Sequence, residues 1–250
     1  MLALALILPL SAGAQVSPNQ CKCMVATGTA QGKFIAAKMK CIAKCNAGAR
    51  AGKNPASDCT PPVYQGATGE CVNKVYSKAL LKEAGCRACP DCYAGGNCIA
   101  SSSFRTATTE NQVDAFIPIV FCDDAASPDQ LNDDEAKCQQ ETAKNGGKFA
   151  AAKMKCYAKC RKAECKGTIP AGSCTAGAVA DPTGKTQACI SKADAKCVAK
   201  VGGKCTDPPE CYTADPSTNP PTNFCAAIEA MVDGNDPATY CGSPSAAFLE

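Results

Sequence analysis

Small and apolar side chains recur every three to four positions along two stretches of the chain. Cys23, Thr27, Ala30, Phe34, Ala37, Cys41 and Cys45 fall on one stripe at about 100° per residue. Cys138, Thr142, Phe149, Ala152, Cys156 and Cys160 fall on another. The spacing predicts a long helix in each place. Gly32 in the first and Gly146-Gly147 in the second each cost about 1 kcal/mol relative to Ala, which marks a weak point where the helix is expected to break. A second helix is predicted from Cys71 to about Ala84, ending at Gly85, and its counterpart from about Gln187 to Val201, ending at Gly202-Gly203. The stretches Asn54 to Pro62, Asp207 to Pro221 and Ser101 to Gln112, which lack such periodicity, read as loops. Ser17-Pro18 and Ser127-Pro128 read as helix starts, with the acidic residues after Ser127 suited to the positive end of a helix dipole.

The two long helices share a nearly identical stretch. Gly32 to Cys45 reads GKFIAAKMKCIAKC and Gly147 to Cys160 reads GKFAAAKMKCYAKC, identical at twelve of fourteen positions. Cys23, Cys41, Cys45 and Cys59 find partners 115 positions later in Cys138, Cys156, Cys160 and Cys174. Cys71 matches Cys189 at 118, and Cys86, Cys92 and Cys122 match Cys205, Cys211 and Cys241 at 119. Eight cysteines in one order at nearly fixed spacing predict a tandem duplication. The shared motif resembles Ala/Lys/Cys-rich helical repeats of secreted bacterial proteins, a likeness that implies export and no particular activity.

Composition turns this pattern into a fold class. There are 22 cysteines but no Trp, seven Phe and six Tyr. A core so thin in large side chains needs staples, and a cysteine content of about 9 % marks a disulfide scaffold. The expected architecture is mainly α: two tandem disulfide-stapled helical hairpins with long Pro/Gly/Ser-rich loops, one over residues 15–126 and one over 127–250. The sixteen repeated cysteines are the expected structural set. Cys41, Cys45, Cys156 and Cys160 lie on one helical face and cannot easily meet each other, so their partners should lie outside their own helix. Each copy holds eleven cysteines, an odd number, so complete pairing within a copy is impossible. Cys98 and Cys225 occupy matching loops and are candidates for a bond between the copies. Cys165 and Cys197, peculiar to the second copy, suggest a bond of their own, and so do Cys21 and Cys89 in the first.

The first fourteen residues read as a secretion signal, with an apolar run from Met1 to Leu10 and a small-residue cleavage site at Ala12-Gly13-Ala14. Ten apolar residues are too few to span a bilayer of about 30 Å. A secreted or periplasmic location, without a membrane span, is the expectation.

Little in the sequence speaks for catalysis. There is no histidine, which removes Ser-His-Asp and Cys-His nucleophiles, His-ligated zinc and c-type haem attachment. Gly184-Lys185-Thr186 resembles the end of a phosphate loop but lacks the first glycine at the required spacing. A non-enzymatic protein without cofactor is expected. The competing reading is a metal or thiol-redox site in the run Cys86, Cys89, Cys92 and Cys98, whose spacing is related to cluster-binding motifs. Lysine is the other repeated feature: Lys33, Lys38, Lys40 and Lys44 recur as Lys148, Lys153, Lys155 and Lys159. They predict a basic outer face on each long helix, suited to an anionic cell-envelope polymer or another extracellular protein. A net charge of +3 and few aromatics argue against nucleic acid.

Overall fold

The structure is a computed structural model and describes residues 16–90, 93, 97–122, 131–176, 179–213 and 217–240. Among them are six α-helices and no strands: α1 (Pro18–Arg50), α2 (Gly66–Ala84), α3 (Cys98–Val120), α4 (Asp133–Cys165), α5 (Lys185–Gly202) and α6 (Asn223–Tyr240). No helix among these residues is long and apolar enough to cross a membrane.

The two 33-residue helices, each about 50 Å long, are the centre of the molecule. Each begins with a capping box. Ser17 accepts from the Gln20 backbone N–H at 3.2 Å while the Gln20 side chain accepts from Ser17 N–H at 2.8 Å. In α4 the cap is Asn132, answered by Glu135, and not Ser127. Ser17 and Asn132 stand 115 apart, so the start of the second helix keeps the offset of the cysteines, and Asn replaces Ser as an equally good cap. The Ser127-Pro128 pair lies outside the described residues.

Neither helix breaks at its glycines. α1 and α4 lie antiparallel and face each other over their largest interface. A Cβ on Gly32 would stand 3.1 Å from Ala151 Cα, and one on Gly147 would stand 3.1 Å from Ala36 Cα. The helices cross where both lack a side chain, so the propensity cost is offset by backbone contact. The expected weak points are the packing centre.

Each long helix then carries two shorter ones. The bonds Cys23–Cys86 and Cys41–Cys71 set α2 antiparallel to α1, and Cys138–Cys205 and Cys156–Cys189 set α5 antiparallel to α4. Cys45–Cys59 and Cys160–Cys174 close the connections between them, each across 14 residues. Cys41, Cys45, Cys156 and Cys160 are therefore all bonded outside their own helix, as their shared face requires.

The hairpins gain third helices, α3 and α6, beyond the two predicted for each half. Ser101 to Gln112 is not a loop but helical, inside α3, and its buried stripe is polar, so apolar periodicity passes over it. Ser101, Ser102, Arg105, Thr106, Thr109 and Asp114 keep helical spacing and face inward. Hydroxyls that usually oppose helix formation here donate back to the preceding turn, Ser101 to Asn97 O at 2.6 Å and Thr108 to Phe104 O at 2.9 Å. Helix α6 packs on α4 and α5 and buries Phe224, Ile228 and Val232.

The two halves are joined covalently. Cys21–Cys165 ties the start of α1 to the end of α4, and Cys122–Cys211 ties the end of α3 to the loop before α6. Cys98 and Cys225 do not bond each other. Cys98 pairs with Cys89 nine residues away, and Cys225 pairs with Cys197. Cys21 and Cys165, which have no counterparts in the other half, are instead partners of each other. Cys92 and Cys241 lie outside the described residues, and among those described no cysteine is free. Bonds this numerous form and persist in oxidising compartments.

Candidate functional site

The lysines of the long helices separate into two groups. Lys33, Lys40, Lys44, Lys148, Lys155 and Lys159 are exposed. Lys38 and Lys153 are not part of that outer face: both are buried, on the sides of α1 and α4 that meet α3 and α6. Lys38 Nζ lies 2.8 Å from Glu110 and 2.7 Å from Asp114 of α3. Lys153 Nζ lies 2.7 Å from both Glu229 and Asp233 of α6. A buried ammonium needs such partners, and those acids lie on α3 and α6, the two helices not predicted.

Two further buried clusters flank these pairs. Glu83 of α2 accepts from Arg105 of α3 at 3.0 and 3.2 Å and also from Gln31 of α1, while the Arg105 guanidinium stacks 3.7 Å over the Tyr93 ring. Arg161 of α4 donates to Glu164 and to Asp236 of α6, each at 3.1 Å. Burial pushes the Glu83 carboxyl up to about 7, against the pull of Arg105 beside it, and pushes Asp236 up to about 6, against Arg161. Acids raised on folding hold more protons in the native state than in the unfolded chain. Their contribution is complete below the unfolded carboxyl range and fades as pH climbs through about 6 to 7. Melting scans should show a higher Tm at mildly acid pH than at alkaline pH, with Glu83→Gln flattening the difference. A Tm that climbs steadily with pH across this window, or a slope unchanged in the variant, would contradict the assignment.

The cysteine run from Cys86 to Cys98 is drawn into disulfides wherever it is described. The sulfurs of Cys23, Cys86 and Cys98 lie within 4.8 Å of one another, with Cys23 Sγ 3.9 Å from Cys98 Sγ. Each is bonded in Cys23–Cys86 or Cys89–Cys98. Thiolates, not disulfide sulfurs, are the nucleophiles and metal ligands of cysteine, so this cluster must be reduced before it can bind metal or attack a substrate. Gly184-Lys185-Thr186 lies at a tight turn opening α5, where Asp181 accepts from the hydroxyls of Thr183 and Thr186 at 2.7 Å.

A concavity lies elsewhere, between α1 and α2. It is a groove of about 920 Å³. Val25, Ala30 and Phe34 of α1 and Val75, Ala79 and Leu81 of α2 supply its apolar lining. Its rim carries Lys22 and Lys33 of α1, Lys78 and Lys82 of α2 and Lys162 of α4, all exposed. Among the described residues no carboxylate lines it. Lys22 and Lys33 are three turns apart on α1, and Lys78 and Lys82 one turn apart on α2, so each helix offers its lysines on one side. The Cys21–Cys165 bond brings the end of α4, and with it Lys162, to the groove. Of the repeated lysines only Lys33 belongs to it. The other four could be found only after α1 and α2 had been placed side by side.

No known protein family, curated protein or solved structure matches the chain.

Proposed function

We propose that this is a non-enzymatic binding protein of the cell exterior or periplasm, exported by its N-terminal apolar segment and derived by tandem duplication. Its working surface is the α1–α2 groove, and its ligand is an anionic component of the cell envelope. The observation that carries this reading is the groove's one-signed rim: five lysines surround an apolar lining, with no carboxylate among the described residues that form it. Unlike Lys38 and Lys153, these lysines are exposed, so their charge is open to a ligand. Disulfides hold the two groove helices at both ends, through Cys23–Cys86 and Cys41–Cys71, so the site is formed before the ligand arrives.

The test is retention on a dextran sulfate resin at low ionic strength, with elution by salt. Glutamine at Lys22, Lys33, Lys78, Lys82 and Lys162 should abolish retention. Glutamine at Lys40, Lys44, Lys148, Lys155 and Lys159, an equal change in charge, should leave most of it. The reverse order would move the site to the outer faces of the long helices and overturn the groove reading.

The sulfur cluster supports a second reading, a metal or redox site at Cys23, Cys86, Cys89 and Cys98, because three of these sulfurs already stand within ligand-sharing distance. Thiol titration of denatured, unreduced protein separates the two. The binding-protein reading expects almost no free thiol, and the metal reading expects the whole set of four free, together with stoichiometric metal in elemental analysis.

A further inference from the structure

The groove is charged like a polyanion site but floored like a lipid site, and the second half of the molecule shows that the fold does not require the floor. In α4 and α5 the positions matching Lys22, Lys33, Lys78 and Lys82 are Lys137, Lys148, Lys196 and Lys200, all lysine. The floor is different. Val25 is matched by Gln140, Ala26 by Glu141, Ala30 by Asn145 and Leu81 by Ala199. The second half thus builds the same helix pair with the three matching bonds, and a further one, Cys197–Cys225, at the position of Ala79; its surface is polar, where Glu141 pairs with Lys144 at 2.6 Å. In the first half Leu81 stays 73 % exposed and Val25 part-exposed, with none of the described residues covering them.

We infer that the α1–α2 groove binds one molecule of an acyl lipid with a phosphate head group. The hydrocarbon lies along Val25, Ala30, Phe34, Val75 and Ala79, and the phosphate is held where Lys22, Lys82 and Lys162 converge. This rests on the groove being the anion site and adds the chemistry of what fills it. The bond Cys23–Cys86 sets the end of α2 beside the start of α1, and Cys21–Cys165 brings the end of α4 there. Three of the five lysines therefore gather at one end, while Phe34, Ala37 and Val75 line the other, with Lys33 and Lys78 on its rim. From Cys21 to Ala37 the α1 wall is about 24 Å long, enough for an acyl chain that fills one leaflet of roughly 15 Å. The volume of 920 Å³ lies within the range of small-molecule sites. Several lysine point charges gathered at one end suit the multiply charged head of a phosphate monoester, which lysine binds as a point charge. The long lysine stems extend the apolar walls while their ammonium groups stay in water.

Calorimetric titration of the oxidised protein with monomeric dodecyl phosphate, below its micelle concentration, tests this. Saturation at one molecule per chain is expected, at least about tenfold tighter than for inorganic phosphate, which lacks the tail, or for dodecyl maltoside, which lacks the charge. Val25→Gln with Ala30→Asn installs the residues of the second half, which this fold already tolerates, and should weaken dodecyl phosphate by about tenfold or more. The same variant should keep its melting temperature and its retention on dextran sulfate. Lys82→Gln with Lys162→Gln should weaken dodecyl phosphate and leave dodecyl maltoside unchanged. Equal binding of the two dodecyl compounds, equal binding of inorganic phosphate, or association only with phosphatidylglycerol vesicles would each overturn the inference. Where dextran sulfate retention survives such a result, anion binding by the groove stands and the acyl ligand falls. Loss of both removes the groove as a site.

Discussion

Reduction of the oxidised protein should abolish most of its helical circular dichroism at room temperature. Ten bonds are described, closing spans from 9 to 144 residues. A single bond across about 15 residues contributes about 3 kcal/mol, and longer spans contribute more. Even half that value from each bond equals the roughly 5–15 kcal/mol by which proteins are stable at all. The rest of the core cannot replace it. Its large apolar members are a few methionines, isoleucines and aromatics, and they share the interior with Lys38, Arg105, Lys153 and Arg161. Those charges gain nothing from burial unless α3 and α6 stay in place to pair them. Helicity that survives reductant together with an unchanged melting temperature would show that side-chain packing suffices and that the staples are secondary.

Glu83→Leu should be the most damaging single substitution in the polar core. It removes the carboxylate that Arg105 grips through two nitrogens and leaves a guanidinium 4 % exposed with no counter-charge. Breaking a buried pair from one side costs about 3–5 kcal/mol, which for a chain of this length lowers Tm by roughly 10 °C. Adding Arg105→Met should recover most of the loss, because the pair as a whole contributes little beyond what an apolar pair of similar volume would. Thermal melts of the two variants against the parent give the comparison. A double variant no more stable than Glu83→Leu would mean that Arg105 matters for its stacking on Tyr93 and not for its charge.

How far the sequence foretells this structure depends on which residues carry the period. In α1 and α4 the stripe runs through cysteine, alanine and phenylalanine, so the helices and the direction of their bonds could be read directly. In α3 the same spacing runs through Ser101, Arg105, Thr109 and Asp114, and a search for apolar periodicity passes over it. The error propagates. With α3 and α6 unseen, Lys38 and Lys153 have no visible partners and are assigned to solvent, although their acids stand in the chain at Glu110, Asp114, Glu229 and Asp233. Gly32 and Gly147 mislead for a related reason. Helix propensity describes an isolated helix, whereas these positions are decided by neighbours on the other long helix, Ala151 and Ala36. The groove was partly legible, since Lys33 repeats, but its lining combines two helices and the end of a third.

The order of the bonds along the chain has a consequence for how a cell makes this protein. Within each half they are nested: Cys45–Cys59 lies inside Cys41–Cys71, which lies inside Cys23–Cys86, and Cys160–Cys174, Cys156–Cys189 and Cys138–Cys205 repeat the arrangement. An oxidant that joined thiols in the order they emerged would make Cys21–Cys23, Cys41–Cys45 and Cys59–Cys71, none of them native. Cys21 must wait for a partner 144 residues later in synthesis. Oxidising power alone therefore yields scrambled chains, and correct maturation depends on thiol–disulfide exchange fast enough to undo the first bonds made. Expression hosts that supply a disulfide isomerase in the same compartment should give native protein, and hosts that supply only an oxidase should give a ladder of misbridged forms.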